Sequence, residues 1–203
     1  MLVELNELNK SYHNGVFEVA ALKNINLKIN KGEFTVFAGP SGSGKTTRLN
    51  IVGTMDKLSS GEVRVDGIEL SALSKNEASD FRKDKIGFIF QSYNLIPVLT
   101  VYENVEFILD LVGKFTKSEK ELKINTLLEE LGLLEYKNRK PSELSGGQQQ
   151  RVAIARALIK EPLIVLADEP TANLDSKTGE NILDLMKKLN EDKGVTFIFS
   201  SHD

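Results

Sequence analysis

Gly39-Pro40-Ser41-Gly42-Ser43-Gly44-Lys45-Thr46 carries the pattern Gly-x4-Gly-Lys-[Ser/Thr] at every fixed position. Residues 33–38, Glu-Phe-Thr-Val-Phe-Ala, read as a short apolar strand leading into it, and 45–53 reads as a helix leading out. Glycines at this spacing let successive backbone N–H groups curl round an anion. The helix N-terminus adds its partial positive charge. A strand, a phosphate loop and a helix in that order predict a nucleotide site, whereas a glycine-rich turn with an incidental lysine would not need those flanks. Gly39, Ser41, Gly42, Ser43, Gly44, Lys45, Thr46 and Thr47 are the predicted contacts. Lys45 is expected to neutralise the β- and γ-phosphates of ATP, and Thr46 to ligate Mg²⁺.

Two further stretches bear on the same chemistry. Residues 163–169, Leu-Ile-Val-Leu-Ala-Asp-Glu, are an apolar strand ending in paired acids. Adjacent carboxylates at the end of a buried strand are costly unless a cation or solvent relieves them. Asp168 is therefore expected to hold Mg²⁺ and Glu169 to act as general base on the attacking water. The second stretch is Leu144-Ser145-Gly146-Gly147-Gln148. Ser145-x-x-Gln148 is a capping box, and two glycines in the first turn are expected to leave helix-end N–H groups bare for an anion. This chain has already placed its own phosphate site elsewhere.

The chain has 203 residues and 40% hydrophobic content, enough for one globular domain, with or without a subdomain. Its 26 basic and 29 acidic residues give a net charge of −3, with no polybasic face for nucleic acid. The cluster Arg82-Lys83-Asp84-Lys85 is short and reads as solvated surface. The absence of cysteine excludes a disulfide framework and a thiolate metal site, and fits a cytosolic protein. Met1 leads straight into a strand-like pattern, not a signal peptide. No apolar run approaches the roughly 20 residues of a membrane span, so any membrane role is expected to come through a partner.

Residues 2–9, 17–29 and 61–67 read as strands, and 86–90 as a buried strand ending at Gln91. Thr100-x-x-Glu103 and Ser118-x-x-Glu121 look like capping boxes for helices over about 101–112 and 119–131. Helices are expected at 146–158 and 177–190, and a last strand at 195–199. The order is an antiparallel start, an α/β core, a helical insertion at about 92–145, and a return to the core.

Segments 39–46, 144–148 and 163–169 resemble the Walker A, signature and Walker B motifs of ABC-type ATPases, in that order and across essentially the whole chain. The resemblance implies an α/β P-loop core, 1–91 and 146–203, with an N-terminal antiparallel β part and a helical subdomain at about 92–145. It implies a head-to-tail dimer in which Ser145, Gly146, Gly147 and Gln148 of one copy cap the γ-phosphate held by the other. Gln91 resembles the glutamine that senses Mg²⁺ or the lytic water, and His202 the switch histidine on the γ-phosphate. Asn173-Leu174-Asp175 resembles the loop crossing the dimer interface, and Tyr12 the aromatic residue that stacks on adenine. His13 has no such match.

Segments 86–97, 99–105, 148–158 and 167–171 are similar to the lipoprotein-release and macrolide-export class (the LolD/MacB type). That implies a permease subunit with few spans and a location on the cytoplasmic side of the inner membrane. A cell-division-type regulatory ATPase and a soluble non-transport ABC ATPase are the alternatives. Arg48 departs from the family's usual leucine, Ala172 from a common glycine, and the chain ends at Asp203 where relatives usually continue, which predicts a truncated chain.

Overall fold

The computed structural model describes residues 1–15 and 17–202. The strands are β1 (Val3–Asn14), β2 (Phe17–Ile29), β3 (Phe34–Ala38), β4 (Ser60–Val65), β5 (Ile68–Glu69), β6 (Ile86–Ile89), β7 (Ile164–Ala167) and β8 (Thr196–Ser201). They form two four-stranded sheets. One runs β2-β1-β4-β5 and is antiparallel; the other runs β3-β8-β7-β6 and is parallel. The helices are α1 (Lys45–Val52), α2 (Lys75–Lys85), α3 (Val101–Val112), α4 (Lys117–Glu130), α5 (Gly146–Leu158) and α6 (Ser176–Lys193).

β6, β7 and the Phe197–Phe199 centre of β8 are apolar, as suits a parallel sheet covered on both faces. Successive side chains point to opposite faces. Ile164, Leu166 and Ile198 enter a core shared with α1 and the antiparallel sheet. Val165, Ala167, Phe197 and Phe199 enter a second core with α3, α4, α5 and α6. Val105, Leu109, Ile124 and Leu128 are fully buried there, each contributing roughly 1.5–3 kcal/mol of burial. The segment expected as a helical subdomain thus packs through the same core as α5 and the sheet.

Several boundaries differ from the sequence reading. β1 runs on to Asn14 because a long hairpin with β2 supplies its hydrogen bonds. α4 opens two residues early: its capping box is Thr116–Glu119, not Ser118–Glu121. α6 extends to Lys193, where Gly194 in the left-handed region ends it. α2 was not expected at all, although Ser74 and Glu77 form its capping box. The cluster 82–85 is its last turn and is not simply solvated. Arg82 donates to the Thr54 carbonyl at 2.7 Å, and Lys160 donates to the carbonyls of Arg82 and Lys83 at 2.9 and 2.7 Å.

Candidate functional site

A parallel sheet brings the C-terminal ends of its strands to one edge, the usual place for a ligand in such folds. β3 feeds the loop at 39–44, β6 leads to Gln91, β7 to Asp168 and Glu169, and β8 to His202. The phosphate-loop strand and the strand of Asp168 are not neighbours, since β8 lies between them. The loops still meet. Thr46 Oγ1 donates to Asp168 Oδ1 at 3.0 Å. Ser200, from the intervening strand, donates to the same oxygen at 2.6 Å and accepts from the Glu169 N–H at 2.9 Å. Ser200 escaped the sequence reading; its one signal was a pair of serines closing an apolar strand.

No side chain caps the N-terminus of α1, so its first N–H groups remain open to an anion. Gly44, its N-cap, has φ +83°, and a Cβ there would lie 2.7 Å from the Ala21 carbonyl oxygen, so only glycine fits. Lys45 is 5% exposed, yet among the described residues its ammonium donates only to neutral acceptors, the carbonyls of Gly39 at 2.6 Å and Pro40 at 3.0 Å. The Ser43 hydroxyl is buried without a partner. A buried cation without a counter-charge and an unsatisfied hydroxyl both fit a polyphosphate. For a divalent cation the donors are hard oxygens, Thr46 Oγ1 and Asp168, which suits Mg²⁺. Among the described residues no group of three His, Cys, Asp or Glu side chains could hold a metal alone. Phosphate and water would therefore complete the shell.

Glu169 has φ +46°, a left-handed conformation costing roughly 1 kcal/mol in a residue with a Cβ. Its N–H is held by Ser200, and its Oε1 lies 2.8 Å from His202 Nδ1. Strain of this kind persists only where neighbours hold it, here the Ser200 hydroxyl. Glu169, Ser200 and His202 line a cavity of ≈ 300 Å³ together with Asp175. Asp175 caps α6 by accepting from the Thr178 N–H at 3.0 Å, and hydrogen bonds from the Thr178 side chain and then its N–H lower the carboxyl pKa.

Gln91 is exposed, and its carbonyl accepts from Asn173 Nδ2 at 2.8 Å, which ties the loop after β6 to the 173–175 stretch. Tyr93 and Asn94 both have positive φ, and their carbonyls accept from Arg156 of α5 at 2.9 and 2.6 Å. Burial lowers the pKa of that guanidinium. Arg156 was also missed, being read only as part of the helix at 146–158.

The Ser145–Gln148 capping box forms in both directions, at 3.3 and 2.9 Å. Gly146 and Gly147 are half-buried, and neighbouring side chains pack close to both. A Cβ on Gly147 would lie 2.7 Å from Thr178 Cγ2, and one on Gly146 3.2 Å from Leu174 Cδ2 and Tyr93 OH. Close packing thus favours glycine at both positions, most strongly at 147. Ser145, Gly147 and Gln148 line a different cavity from that of Glu169 and His202. Tyr12 is 42% exposed on β1, its hydroxyl 2.7 Å from Asp56 Oδ2 and 3.5 Å from Thr47 Oγ1. His13 is exposed.

Arg48 is half-buried, with its guanidinium 5.0 Å from the Phe37 ring centroid. Nη2 reaches the Ser43 carbonyl at 3.4 Å, Nε is buried without a partner, and burial lowers the pKa. An unpaired buried donor costs about 1–3 kcal/mol. Arg48→Leu should therefore stabilise the nucleotide-free chain by about 1 kcal/mol, read as a higher urea midpoint at unchanged slope. A lower midpoint would contradict this account.

A family profile described as ABC transporter matches residues 22–172. An uncharacterized ABC transporter ATP-binding protein of Methanocaldococcus jannaschii, MJ0796, is 50% identical over 205 residues, covering 100% of this chain and 87% of that one. A dimeric structure of the MJ0796 cassette in a post-hydrolysis state with ADP and Pi aligns with a TM-score of 0.89 over 100% of this chain and 88% of that chain. The lipoprotein-releasing system ATP-binding protein LolD of Francisella tularensis is 43% identical over 203 residues, 100% of this chain and 88% of its own length. A macrolide export ATP-binding/permease protein MacB of Syntrophobacter fumaroxidans is 45% identical over 203 residues; this chain spans 28% of it.

Proposed function

This chain belongs to the ABC transporter family as an ATP-binding and ATP-hydrolysing subunit, and we propose that it works as half of an ATP-sandwich dimer driving a separate integral membrane subunit. The proposed cargo process is export or lipoprotein release, in keeping with the names of the MacB and LolD relatives. The dimeric MJ0796 cassette supports the pairing. No described helix is long and apolar enough to cross a membrane. The subunit is proposed to sit on the cytoplasmic face of the inner membrane through its permease, with the helical segment at about 92–145, near Gln91 and the loop 92–97, pressing on it.

The observation that carries the reading is one unbroken run of contacts along the sheet edge: Thr46 to Asp168, Asp168 to Ser200, Ser200 to Glu169, Glu169 to His202. Lys45, the N–H groups at the start of α1, and Ser41, Ser43 and Thr47 bind the phosphates. Thr46, Asp168 and Gln91 would hold Mg²⁺. When bound, Mg²⁺ neutralises charge on the β- and γ-phosphate oxygens. Glu169 orients the attacking water and takes its proton as the water oxygen bonds to the γ-phosphorus and the bond to the ADP oxygen breaks. His202, 2.8 Å from that carboxylate, fixes its direction and reaches the γ-phosphate. Ser145, Gly146, Gly147 and Gln148 of the second copy close the site, with Asp175 at the shared boundary, and product formation reopens it.

The test is affinity capture of the Glu169→Gln chain from native membranes with ATP, followed by mass spectrometry. A membrane protein with few spans and a large domain across the membrane is the expected partner, and its identity separates export or lipoprotein release from cell-division regulation. Recovery of soluble proteins or nucleic-acid factors alone would overturn the transporter reading.

A further inference from the structure

Lys10, Tyr12 and Asp56 form a tight cluster beside α1. Asp56 divides its two carboxylate oxygens: Oδ1 accepts from Lys10 Nζ at 2.8 Å, and Oδ2 from the Tyr12 hydroxyl at 2.7 Å. Oδ1 also accepts from the Lys57 N–H at 2.7 Å. The Lys10 ammonium donates again to the Lys57 carbonyl at 2.6 Å and sits 4.6 Å from the Tyr12 ring centroid. Lys10 is buried, while Tyr12 is 42% exposed.

An exposed tyrosine on a strand ordinarily samples several rotamers. This ring is fixed at its hydroxyl edge by a carboxylate and on one face by an ammonium, which leaves one face open. The phenol oxygen also stands 3.5 Å from Thr47 on the phosphate-loop helix. From this geometry we infer that Lys10 and Asp56 are positioning residues that lock the Tyr12 ring into a one-sided platform for the nucleotide base. The inference rests on the reading of Tyr12 as the residue that stacks on adenine.

A platform ordered before binding spares the complex the loss of side-chain freedom on association. The cation on the covered face also draws on the electron density of the ring, which favours stacking by an electron-rich purine on the other face. Burial raises the Asp56 carboxyl, yet the hydrogen bonds from Lys10, Tyr12 and Lys57 outweigh it and hold the group below its ordinary pKa. The Asp56 carboxylate therefore stays charged at neutral pH.

The experiment compares calorimetric affinities for Mg²⁺-ADP and Mg²⁺-pyrophosphate in the full chain carrying Tyr12→Phe, Asp56→Asn or Tyr12→Ala. Tyr12→Phe keeps a ring and deletes only the anchor, so it guards against misfolding of the Asp56 variant. Expected is a loss of about 3- to 10-fold for ADP with Phe and Asn, a larger loss with Ala, and pyrophosphate affinity unchanged in all three. If Ala weakens ADP while Phe and Asn bind as the parent does, the positioning role falls and the base-stacking reading stands. If Ala leaves ADP affinity unchanged, the base-stacking reading fails and the positioning role with it. Parallel losses for ADP and pyrophosphate would reduce the cluster to a structural brace of α1.

Discussion

Glu169→Gln is expected to cut ATP turnover by about 10²- to 10⁴-fold while leaving nucleotide binding intact, and to accumulate an ATP-bound dimer. The magnitude is that of removing a positioned general base. The amide matches the carboxylate in shape, so the Glu169 N–H keeps Ser200, and the side chain still reaches His202 across the 2.8 Å contact. What it loses is the capacity to take a proton from water. Binding depends instead on Lys45 and the α1 N-terminus, which the substitution does not touch. Phosphate release measures turnover, and light scattering with ATP measures the dimer. Turnover within a few-fold of the parent would remove Glu169 from the mechanism, and a monomer with bound ATP would contradict the sandwich.

Lys45→Ala should weaken ATP binding by roughly 30- to 1,000-fold, the range for removing one partner from a buried charge-assisted pair. The lysine is 5% exposed and donates to its own loop at Gly39 and Pro40. Those carbonyls gain no charge when the nucleotide arrives, so the ammonium is free to turn to phosphate at little cost. The same substitution frees two loop carbonyls and leaves a void, and a modest fall in the unfolding midpoint should accompany it. Unchanged ATP affinity in calorimetry would sink the phosphate-loop assignment.

Local chemistry was the legible part. The helix bounds at 101–112 and 146–158 follow from capping boxes written within four residues, at Thr100 and Ser145. α4 shows where local reading stops. Thr116 and Ser118 each have Glu three residues on, and the earlier cap wins because each added residue brings a backbone hydrogen bond once the helix exists. α2 went unseen because Phe81 is its only buried residue, so no apolar stripe announces it. Ser200, Arg156 and Asp56 were invisible for another reason. Their partners are 32, 62 and 44 residues away, and nothing in the chain states that β8 runs between β3 and β7.

Arg156 joins two places of different purpose. It leaves α5, the helix opened by Ser145 and its glycines, and grips the carbonyls of Tyr93 and Asn94 in the loop after Gln91. Asn173 takes hold of the same loop from the other side, at the Gln91 carbonyl. Any coupling transmitted through this linkage is a free energy with no preferred direction. Whatever factor a membrane partner leaning on residues 92–97 applies to the affinity at α5, occupancy at α5 must return to the affinity for that partner. If Arg156 carries the coupling, sensing of the proposed partner and sensing of the proposed nucleotide at α5 would be two measurements of one equilibrium.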